Sequence, residues 1–309
     1  MSTQIAESKF IWKDGTLIPW KDATLHVLST VVQFGTSVFE GIRCYETPRG
    51  PAIFRLDAHI RRLVESARIY RMPSRWDASQ IAQACVDVVR ENELRSCYVR
   101  PMILRGYGAA GLNPAASPVE TWVPAFAWGT YLGAGALEKG VDVCVSSWHR
   151  AAPNTFPMAA KAGGHYVNAQ LIKMEALQNG YAEGIALGPS GLVSEGSGQN
   201  LFLVRDGVLI TPVLDGTSLR GITRHAIIVL AREMGLEVKE QLVPREALYA
   251  AEEMFFTGTA AEVTPITSVD RITIGDGSAG ELTLKIQRRF MEVVTGQADD
   301  RWGWLTHVG

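Results

Sequence analysis

The start of the chain alternates apolar and polar positions in short runs that turn-forming residues interrupt. A Lys13-Asp14-Gly15 turn divides the β-prone stretch from Phe10 to Trp20, and Thr47-Pro48-Arg49-Gly50 divides the stretch from Val38 to Phe54. Turn residues between two β-prone runs are typical of hairpins. The sequence therefore predicts two strand pairs in this region.

Apolar residues then recur at intervals of three and four positions in two segments. They do so from Asp57 to Tyr70 and again from about Asp77 to Asn92. This spacing places the apolar residues on one face of a helix, and Asp57 is suited to cap the N-terminus of the first helix. Residues 97–104 are again β-prone, whereas residues 106–118 are rich in turn-forming residues. We predict two amphipathic helices, a strand and a loop.

Strands and helices alternate over the rest of the chain. The predicted strands are Thr121–Ala127, Val141–Ser147, Gly184–Leu187, a hairpin over Leu201–Thr211, Leu236–Gln241 and Glu253–Thr257. The predicted helices are Gly164–Asn179, one from Leu219 to a stop at Gly235, Arg245–Ala250 and Leu282–Thr295. At 309 residues the chain is long for one core, so we expect two α/β domains. We place a small domain at 1–124, an interdomain loop at 125–135 and a large domain at 136–309.

Composition narrows the classes of function. A hydrophobic content of 47% and a charged content of 20% are typical of compact soluble proteins. The formal charge of −2, with both signs interspersed, offers no basic stripe for nucleic acid. Residues 1–9 lack the apolar core of a secretory signal, and no apolar run is long enough to cross a bilayer. We therefore expect a cytoplasmic protein with small-molecule partners and no nucleic-acid or membrane partner.

The four cysteines are far apart and show no metal-type spacing. We expect free, buried thiols in a reducing compartment, and no metal site. They are Cys44, Cys85, Cys97 and Cys144.

The most informative local feature is one lysine in an uncharged stretch of small residues. Lys161 lies within Phe156-Pro157-Met158-Ala159-Ala160-Lys161-Ala162-Gly163-Gly164. The alanines and glycines leave room for a flat cofactor beside the amine, and a dry setting favours the neutral, nucleophilic amine. The pattern indicates a Schiff-base lysine, although an ordinary surface lysine also fits it when it is taken alone.

Three further segments make chemical sense together with Lys161. Gly221-Ile222-Thr223 opens a predicted helix, whose N–H groups can hold a phosphate. Residues 257–261 end a predicted strand in small and hydroxyl residues, where backbone can approach an anion closely. Residues 191–200 place Glu195 among glycines in a predicted turn. A surface glutamate is the alternative reading of Glu195.

With these segments the chain resembles the fold-type IV pyridoxal-phosphate enzymes, and most closely the bacterial branched-chain amino acid aminotransferases. The resemblance covers nearly the whole chain and consists of six blocks in family order. The blocks are Phe34-Gly35-Thr36-Ser37-Val38-Phe39-Glu40-Gly41-Ile42-Arg43-Cys44-Tyr45, His59-Ile60-Arg61-Arg62-Leu63, Tyr98-Val99-Arg100-Pro101, Ala159-Ala160-Lys161-Ala162-Gly163-Gly164-His165-Tyr166, Ser194-Glu195-Gly196 with Asn200-Leu201-Phe202, and Thr257-Gly258-Thr259-Ala260-Ala261-Glu262. It implies a two-domain α/β fold with pyridoxal 5'-phosphate in the cleft between the domains.

The resemblance implies how the cofactor is bound. Lys161 holds it as a Schiff base and then moves the proton between the substrate α-carbon and the cofactor. Glu195 faces the pyridine nitrogen and keeps it protonated. Arg62 clamps the phosphate, whereas Arg61 points about 100° away on a helix and is expected at the surface. The other implied cofactor contacts are Tyr166 at the phenolic oxygen, Leu219 on the ring face, and Gly221, Ile222, Thr223, Gly258 and Thr259 around the phosphate.

The resemblance also implies the substrate pocket. Arg100 shares a strand face with Tyr98 and admits the distal carboxylate of glutamate or 2-oxoglutarate. The aromatic members form an apolar slot for a branched side chain, although core packing is the alternative for each of them. The implied substrate residues are Phe39, Tyr98, Arg100, Trp128, Tyr131, Thr259 and Ala260, with Ala110 and Leu112 from a neighbouring subunit.

Two positions depart from the pattern of the bacterial relatives. Phe34 stands where many of them carry tyrosine, and Ala110 stands where they often carry methionine. Family members insert the loop that contains Ala110 into the neighbouring subunit's pocket. The smaller Ala110 therefore implies a roomier apolar slot. The inserted loop implies a homodimer as the minimal active unit, and a hexamer stays open.

The resemblance, with the residues that carry it, implies transamination between branched-chain L-amino acids and 2-oxoglutarate by a ping-pong exchange. A D-amino acid or (R)-amine aminotransferase, or an aminodeoxychorismate lyase, is the alternative within the same fold. A non-catalytic cofactor-binding protein is the alternative from another class. The rank order among leucine, isoleucine, valine and aromatic substrates stays open, as does the biosynthetic or degradative direction.

Overall fold

The structure is a computed structural model of the chain and describes residues 5–129, 132 and 135–309. Tyr131, one of the implied substrate residues, lies outside the described residues. The chain forms two compact units, which we call unit 1 and unit 2. Unit 1 comprises Met1–Gly129, Ala160–Gly164 and Glu292–Gly309, and unit 2 comprises Thr130–Ala159 and His165–Met291. This division differs from the predicted one because residues 160–164 and 292–309 group with the N-terminal part.

Eight α-helices form within the described residues. They are α1 Thr30–Phe34, α2 Leu56–Ile69, α3 Ala78–Glu91, α4 Ala136–Lys139, α5 Tyr166–Gln178, α6 Ile222–Glu233, α7 Glu246–Tyr249 and α8 Glu281–Val294. Short 3-10 helices occur at Trp20–Asp22 and Gly163–His165.

The strands of the described chain number nineteen. They are β1 Phe10–Lys13, β2 Thr16–Pro19, β3 Ser37–Phe39, β4 Ile42–Thr47, β5 Gly50–Phe54, β6 Cys97–Val99, β7 Met102–Arg105, β8 Val119–Val123, β9 Ala125–Phe126, β10 Val141–Val145, β11 Glu183–Leu187, β12 Val193–Gly196, β13 Asn200–Arg205, β14 Val208–Pro212, β15 Val238–Gln241, β16 Glu253–Gly258, β17 Glu262–Val269, β18 Ile272–Thr273 and β19 Leu305–His307.

Unit 1 contains two five-stranded antiparallel sheets, in the orders β2-β1-β8-β7-β3 and β19-β5-β4-β6-β9. The predicted hairpins are confirmed, and Asp14 and Gly15 turn the first one with φ values of 45° and 95°. Positive φ at both central residues suits the twist of a two-residue hairpin. The apolar faces of α2 and α3 pack into one core with strand residues, as Ile60, Ile81 and Val99 illustrate.

Unit 2 is built on one nine-stranded sheet. Its order is β12-β11-β10-β17-β16-β13-β14-β15, and β18 pairs with β17. The pairs β10–β11, β10–β17 and β14–β15 are parallel, and the other pairs are antiparallel. Helix α5 packs against β11, and α6 packs near β15 and β16. The mixed α/β architecture agrees with the predicted fold class.

One helix cap was not predicted, and the predicted one is not observed. Asp77 caps α3, because its carboxylate accepts from the backbone of Gln80 while the Gln80 side chain accepts from the backbone of Asp77. The predicted cap at Asp57 is wrong. Helix α2 begins at Leu56 with Arg55 at the N-cap, so Asp57 lies in the first turn, where it still faces the positive end of the helix dipole.

Two predicted strands are each divided by a proline. The stretch 97–104 forms β6 and β7 in different sheets, with Arg100 and Pro101 between them. The stretch 121–127 forms β8 and β9, with Pro124 between them. Proline has no N–H to donate to a sheet ladder, so the chain leaves one sheet at these points and enters the other.

The predicted turn at 191–200 contains strand β12, so Glu195 lies on a strand and not in a turn. The residues of β12, Val-Ser-Glu-Gly, carry no alternation that marks a strand. The long strand β17 was also missed, and Pro265 interrupts its β-prone residues.

All four cysteines are buried free thiols, as predicted. Cys44 on β4 and Cys97 on β6 lie opposite each other in the strand register. Among the described helices, none has the length and apolar character that crossing a membrane requires.

Candidate active site

The backbone of Lys161 is held on both sides within unit 1. Its carbonyl oxygen accepts a hydrogen bond from the backbone N–H of Phe39 at 3.0 Å. Its own N–H donates to Oγ of the buried Ser66, on α2, at 3.1 Å. The next residue, Ala162, forms an isolated antiparallel bridge with Val38. The lysine is therefore fixed against β3 and α2.

Glycines allow two close approaches in this part of unit 1. A Cβ on Gly163 would lie 2.4 Å from Oγ of Ser37, so a side chain at this position requires the Ser37 hydroxyl to move. A Cβ on Gly41 would lie 1.8 Å from the hydroxyl oxygen of Tyr98. Real Cβ contacts are not this short, so a substitution at either glycine must displace the neighbouring side chain.

Five of the implied site residues form one cluster in unit 1. Nζ of Lys161 lies 5.1 Å from the ring centroid of Phe39, and Cζ of Arg100 lies 5.3 Å from the same centroid. Arg100 also lies over Tyr98 at 5.0 Å, and the rings of Tyr98 and Trp128 are 5.1 Å apart. Arg100 follows β6 and is not on it, which corrects the predicted shared strand, yet it still lies beside Tyr98. An amine and a guanidinium thus share an aromatic surface.

Two polar atoms of this cluster are buried without a hydrogen-bond partner in the described part of the chain. They are Nε of Arg100 and Nε1 of Trp128. Buried N–H groups are normally satisfied, so an oxygen-bearing ligand is the partner that this arrangement suits.

Arg62 is buried on α2, whereas Arg61 is exposed, so the predicted division between these neighbours is confirmed. The Arg62 guanidinium donates to both oxygens of the fully buried Glu40, from Nε at 2.6 Å and from a terminal nitrogen at 2.8 Å. Nδ1 of His59 lies 2.7 Å from the same carboxylate. Burial raises the pKa of the Glu40 carboxyl. Arg62 and His59 together lower this pKa by more than burial raises it, so it lies well below its usual range.

Glu195 is buried on β12 in unit 2, and three groups orient its carboxylate. The Arg150 guanidinium lies 3.2 Å from one oxygen. The other oxygen accepts from the Asn200 side chain at 3.3 Å and from the backbone N–H of Leu219 at 3.1 Å. Arg150 is itself fixed by the carbonyl oxygens of Gly196 and Ser197. The buried Glu195 carboxylate is thus paired with a buried arginine and held in one orientation.

Asn200 connects Glu195 to the start of α6. Its side chain also donates to the carbonyl oxygen of Leu219 at 3.1 Å, and a Cβ on Gly221 would lie 1.8 Å from its Oδ1. Gly221 is the N-cap of α6 with no side-chain cap, and Ile222 and Thr223 are the buried first residues of that helix. The first N–H groups of a helix have no partner within it, so this end suits an anion.

The other predicted anion-binding segment lies on the neighbouring strand. Asn200 on β13 pairs with Thr257 on β16, and β16 ends at Gly258. Thr259 and Ala260 belong to the short connection from β16 to β17 and are half-buried. The hydroxyl of Thr257 is buried and has no hydrogen-bond partner among the described residues. Segments 219–223 and 257–260 are therefore both linked to Asn200.

The remaining implied residues lie on a loop and at the start of a helix. Ala110 and Leu112 belong to an exposed loop, and Leu112 is 90% exposed. Tyr166 is the half-buried first residue of α5.

Sequence reasoning missed four residues of these clusters. Glu40, His59 and Asn200 stand inside the family blocks, where a charged or polar residue among apolar neighbours was the available signal. Arg150 stands outside every block. Only the tertiary contact with Glu195 identifies it.

The residues present fit pyridoxal phosphate by their chemistry. A half-buried lysine supplies an amine, a buried carboxylate suits a protonated ring nitrogen, and the uncapped end of α6 suits a phosphate. The Thr257 hydroxyl, which no described residue bonds, is a further polar group that a ligand can satisfy.

Comparisons with known proteins agree with this chemistry. A family model described as amino-transferase class IV matches residues 37–269. The branched-chain-amino-acid aminotransferase of Escherichia coli (strain K12) is 51% identical over 309 residues, covering 100% of this chain and 99% of that protein. A crystal structure of the Escherichia coli branched-chain amino acid aminotransferase has a TM-score of 0.96 at 51% identity and covers 98% of this chain and 100% of its own. The branched-chain amino acid aminotransferase from Thermobaculum terrenum, in its PLP-bound holo-form, has a TM-score of 0.92 at 37% identity and covers 98% of this chain and 99% of its own.

Proposed function

The chain belongs to the class IV family of aminotransferases, and from this premise we propose that it transfers the amino group between branched-chain L-amino acids and 2-oxoglutarate. The substrates are leucine, isoleucine and valine, and the products are the branched-chain 2-oxo acids and L-glutamate. The observation that carries the proposal is the position of Lys161 and Arg100 over the same Phe39 ring. An aromatic pocket with one arginine suits a ping-pong enzyme that accepts apolar and acidic side chains in turn.

Lys161, Glu195 and Arg62 have separate tasks in the proposed reaction. The cofactor, pyridoxal 5'-phosphate, supplies an aldehyde that condenses with amines and a ring that accepts electrons released at the substrate α-carbon. The Lys161 amine would move the proton between that carbon and the cofactor. The Glu195 carboxylate, fixed by Arg150 and Asn200, holds the proton of the ring nitrogen. Arg62 binds the phosphate.

Other residues complete the proposed cofactor site. Tyr166 donates to the phenolic oxygen, and Leu219 packs on the ring face. The backbone around the phosphate belongs to Gly221, Ile222, Thr223, Gly258 and Thr259, which are glycines or residues at the ends of regular elements. The first N–H groups of a helix have no partner within that helix, so the start of α6 can bind an anion.

The aromatic cluster determines the proposed substrate range. Arg100 binds the distal carboxylate of glutamate, and its buried Nε has no partner in the described chain that competes for it. Phe39, Tyr98 and Trp128 pack around a branched aliphatic chain and exclude water from it. We assign the α-carboxylate to the backbone of Thr259 and Ala260.

We also propose that the active unit is a homodimer in which the loop of Ala110 and Leu112 serves the partner's site. Within unit 1 several large apolar side chains are exposed, and a partner that covers such side chains removes apolar surface from water. They include Leu25, Val27, Leu28, Val32, Phe34, Tyr107 and Leu112. The cytoplasm is the proposed compartment, because the four cysteines are free thiols.

Replacement of the proposed catalytic lysine tests the function. We expect Lys161→Ala to abolish transamination of L-leucine with 2-oxoglutarate and to abolish the borohydride-reducible absorbance of bound cofactor. Lys239→Ala is the matched control, because Lys239 is an exposed lysine on β15 paired with Glu237. Retention of either signal in Lys161→Ala contradicts the proposal. Turnover of D-alanine in preference to L-leucine by the unaltered chain favours the D-amino acid alternative.

A further inference from the structure

Glu40 is a fully buried carboxylate that the proposed reaction does not use. It lies between β3 and β4 in unit 1 and is 0% exposed. Its two oxygens accept from two nitrogens of Arg62, and one of them also contacts Nδ1 of His59. Arg62 and His59 stand three residues apart on α2 and therefore share a face of that helix. One carboxylate thus joins a loop between strands to a helix.

A buried charge is costly unless it is paired and hydrogen-bonded. Burial lowers the pKa of His59, so the imidazole is neutral and donates its Nδ1–H to Glu40. The Glu40 carboxylate keeps its charge beside the Arg62 guanidinium. The Glu40–Arg62 ion pair, which we call the fork, is therefore charged and buried. Replacing such a pair by apolar residues of similar volume often leaves the folded protein as stable as before.

The geometry of the fork is suited to fixing the orientation of the Arg62 guanidinium. Two parallel N–H···O bonds fix the plane of a guanidinium, which one contact alone does not do. Glu40 follows Phe39 directly, and the Phe39 N–H donates to the carbonyl oxygen of Lys161. The charge of Lys161 also contributes to the lowered pKa of His59, so the fork lies within electrostatic reach of the proposed catalytic amine.

We propose that Glu40 is a positioning residue, held by His59, which fixes the Arg62 guanidinium in the orientation that binds the cofactor phosphate. The inference rests on the proposed function, because that function assigns the phosphate to Arg62. It adds Glu40 and His59 to the phosphate site, although neither carries a charge that attracts an anion.

An orienting role of Glu40 and a purely electrostatic role predict opposite effects of Glu40→Gln on cofactor binding. Glu40→Gln keeps the shape of the side chain but removes a negative charge beside Arg62. If only charge mattered, the phosphate-bearing cofactor would bind more tightly. If Glu40 orients Arg62, the cofactor binds less tightly in spite of the lost negative charge.

The test compares two vitamers on the full-length chain after removal and re-loading of cofactor. Pyridoxal 5'-phosphate carries the phosphate and pyridoxal lacks it, and the Kd of each is measured by absorbance titration. We expect Glu40→Gln to raise the Kd of pyridoxal 5'-phosphate about tenfold or more, because hydrogen bonds to a charged group are lost. The Kd of pyridoxal should change by less than about twofold. The phosphorus NMR shift of the loaded variant should also change.

Glu46→Gln is the matched control, because Glu46 is an exposed carboxylate of the same unit that pairs with Arg95. His59→Leu removes the donor to Glu40 and should give a smaller loss of the same kind. His59→Asn retains a donor near the Nδ1 position and should restore selectivity for the phosphorylated vitamer. The histidine variants carry the test if Glu40→Gln does not fold.

The outcomes separate this inference from the proposed function. Unchanged or tighter binding of pyridoxal 5'-phosphate by Glu40→Gln overturns the inference, as does equal weakening of both vitamers. If the unaltered chain binds neither vitamer and does not transaminate L-leucine, the proposed function itself fails.

Discussion

At the residue scale, helical geometry distinguishes Arg62 from Arg61, but it does not reveal what Arg62 contacts. The direction of each arginine follows from a local period of 3.6 residues. The contact with Glu40 joins positions 22 apart and depends on how β3 and α2 pack. No local pattern contains such a contact. The same holds for Arg150 and Glu195, whose pairing depends on the order of strands in the sheet of unit 2.

The Glu40 and His59 cluster predicts how stability depends on pH. Both pKa values are lowered in the folded chain, so the unfolded chain binds more protons below the ordinary values of 6.5 for His59 and 4.5 for Glu40. The free energy of unfolding should therefore fall as the pH decreases, first below about 6.5 and more steeply below about 4.5.

Urea unfolding midpoints of the loaded protein across this pH range measure the effect. His59→Asn should remove the part of the decrease that begins near neutral pH. His26→Asn is the control, because His26 is an exposed histidine in the same unit. Identical pH profiles for the unaltered chain and His59→Asn contradict the prediction.

At the element scale, the hairpins and amphipathic helices could be predicted because their signals are local. The turn residues at 13–15 and the capping box of α3 act within a few positions. The division of 97–104 between two sheets could not be predicted, since it depends on which partner each half finds. Strand β12 was missed for a related reason. Its buried polar residues are satisfied by tertiary contacts and not by an alternating pattern.

The junction between β3 and β4 yields a prediction about substrate binding. Gly41 precedes β4 and lies under Tyr98 of β6, where an added Cβ would be 1.8 Å from the hydroxyl oxygen and 2.5 Å from Cζ. Gly41→Ala must therefore displace a ring that contacts Arg100 and Trp128. We expect a stability loss of about 1–3 kcal/mol from overpacking and a KM for L-leucine raised about tenfold.

Steady-state kinetics and urea unfolding measure the two effects of Gly41→Ala. Gly198→Ala is the matched control, because among the described residues no atom beyond its chain neighbours lies within 4 Å of its added Cβ, and its φ is not positive. An unchanged KM for L-leucine in Gly41→Ala shows that the ring of Tyr98 does not shape the substrate pocket.

At the scale of the whole molecule, six ordered blocks were sufficient to indicate the family and its α/β fold. They did not indicate the composition of the two units. A segment of five residues, 160–164, belongs to unit 1 while the chain on both sides of it belongs to unit 2. The composition of five residues does not indicate which unit they join. It follows from the contacts of Lys161 and Ala162 with β3 and α2.

The proposed exchange of loops between subunits predicts complementation. Leu112→Asp places a charge on a loop tip that is 90% exposed in the single chain, and we expect it to lower activity in the homodimer. Co-expression with Lys161→Ala should restore activity to about a quarter of the unaltered level. Half of the dimers are then mixed, and each of these has one site with an intact lysine and an intact partner loop.

Differently tagged chains and two-step purification isolate the mixed dimers for assay. Leu242→Asp, at an exposed leucine of unit 2, is the control and should remain active by itself. Mixed dimers without activity contradict the exchange of loops, and a monomeric unaltered chain contradicts the dimer.

The buried thiols can report local opening of the folded chain. Burial raises the pKa of Cys144 to about 11, and it also raises the pKa of Cys85, so both thiols resist alkylation while their surroundings stay closed. Cys85 belongs to unit 1 and Cys144 to unit 2. Mass-resolved alkylation kinetics can therefore time the opening of each unit separately, without an introduced label.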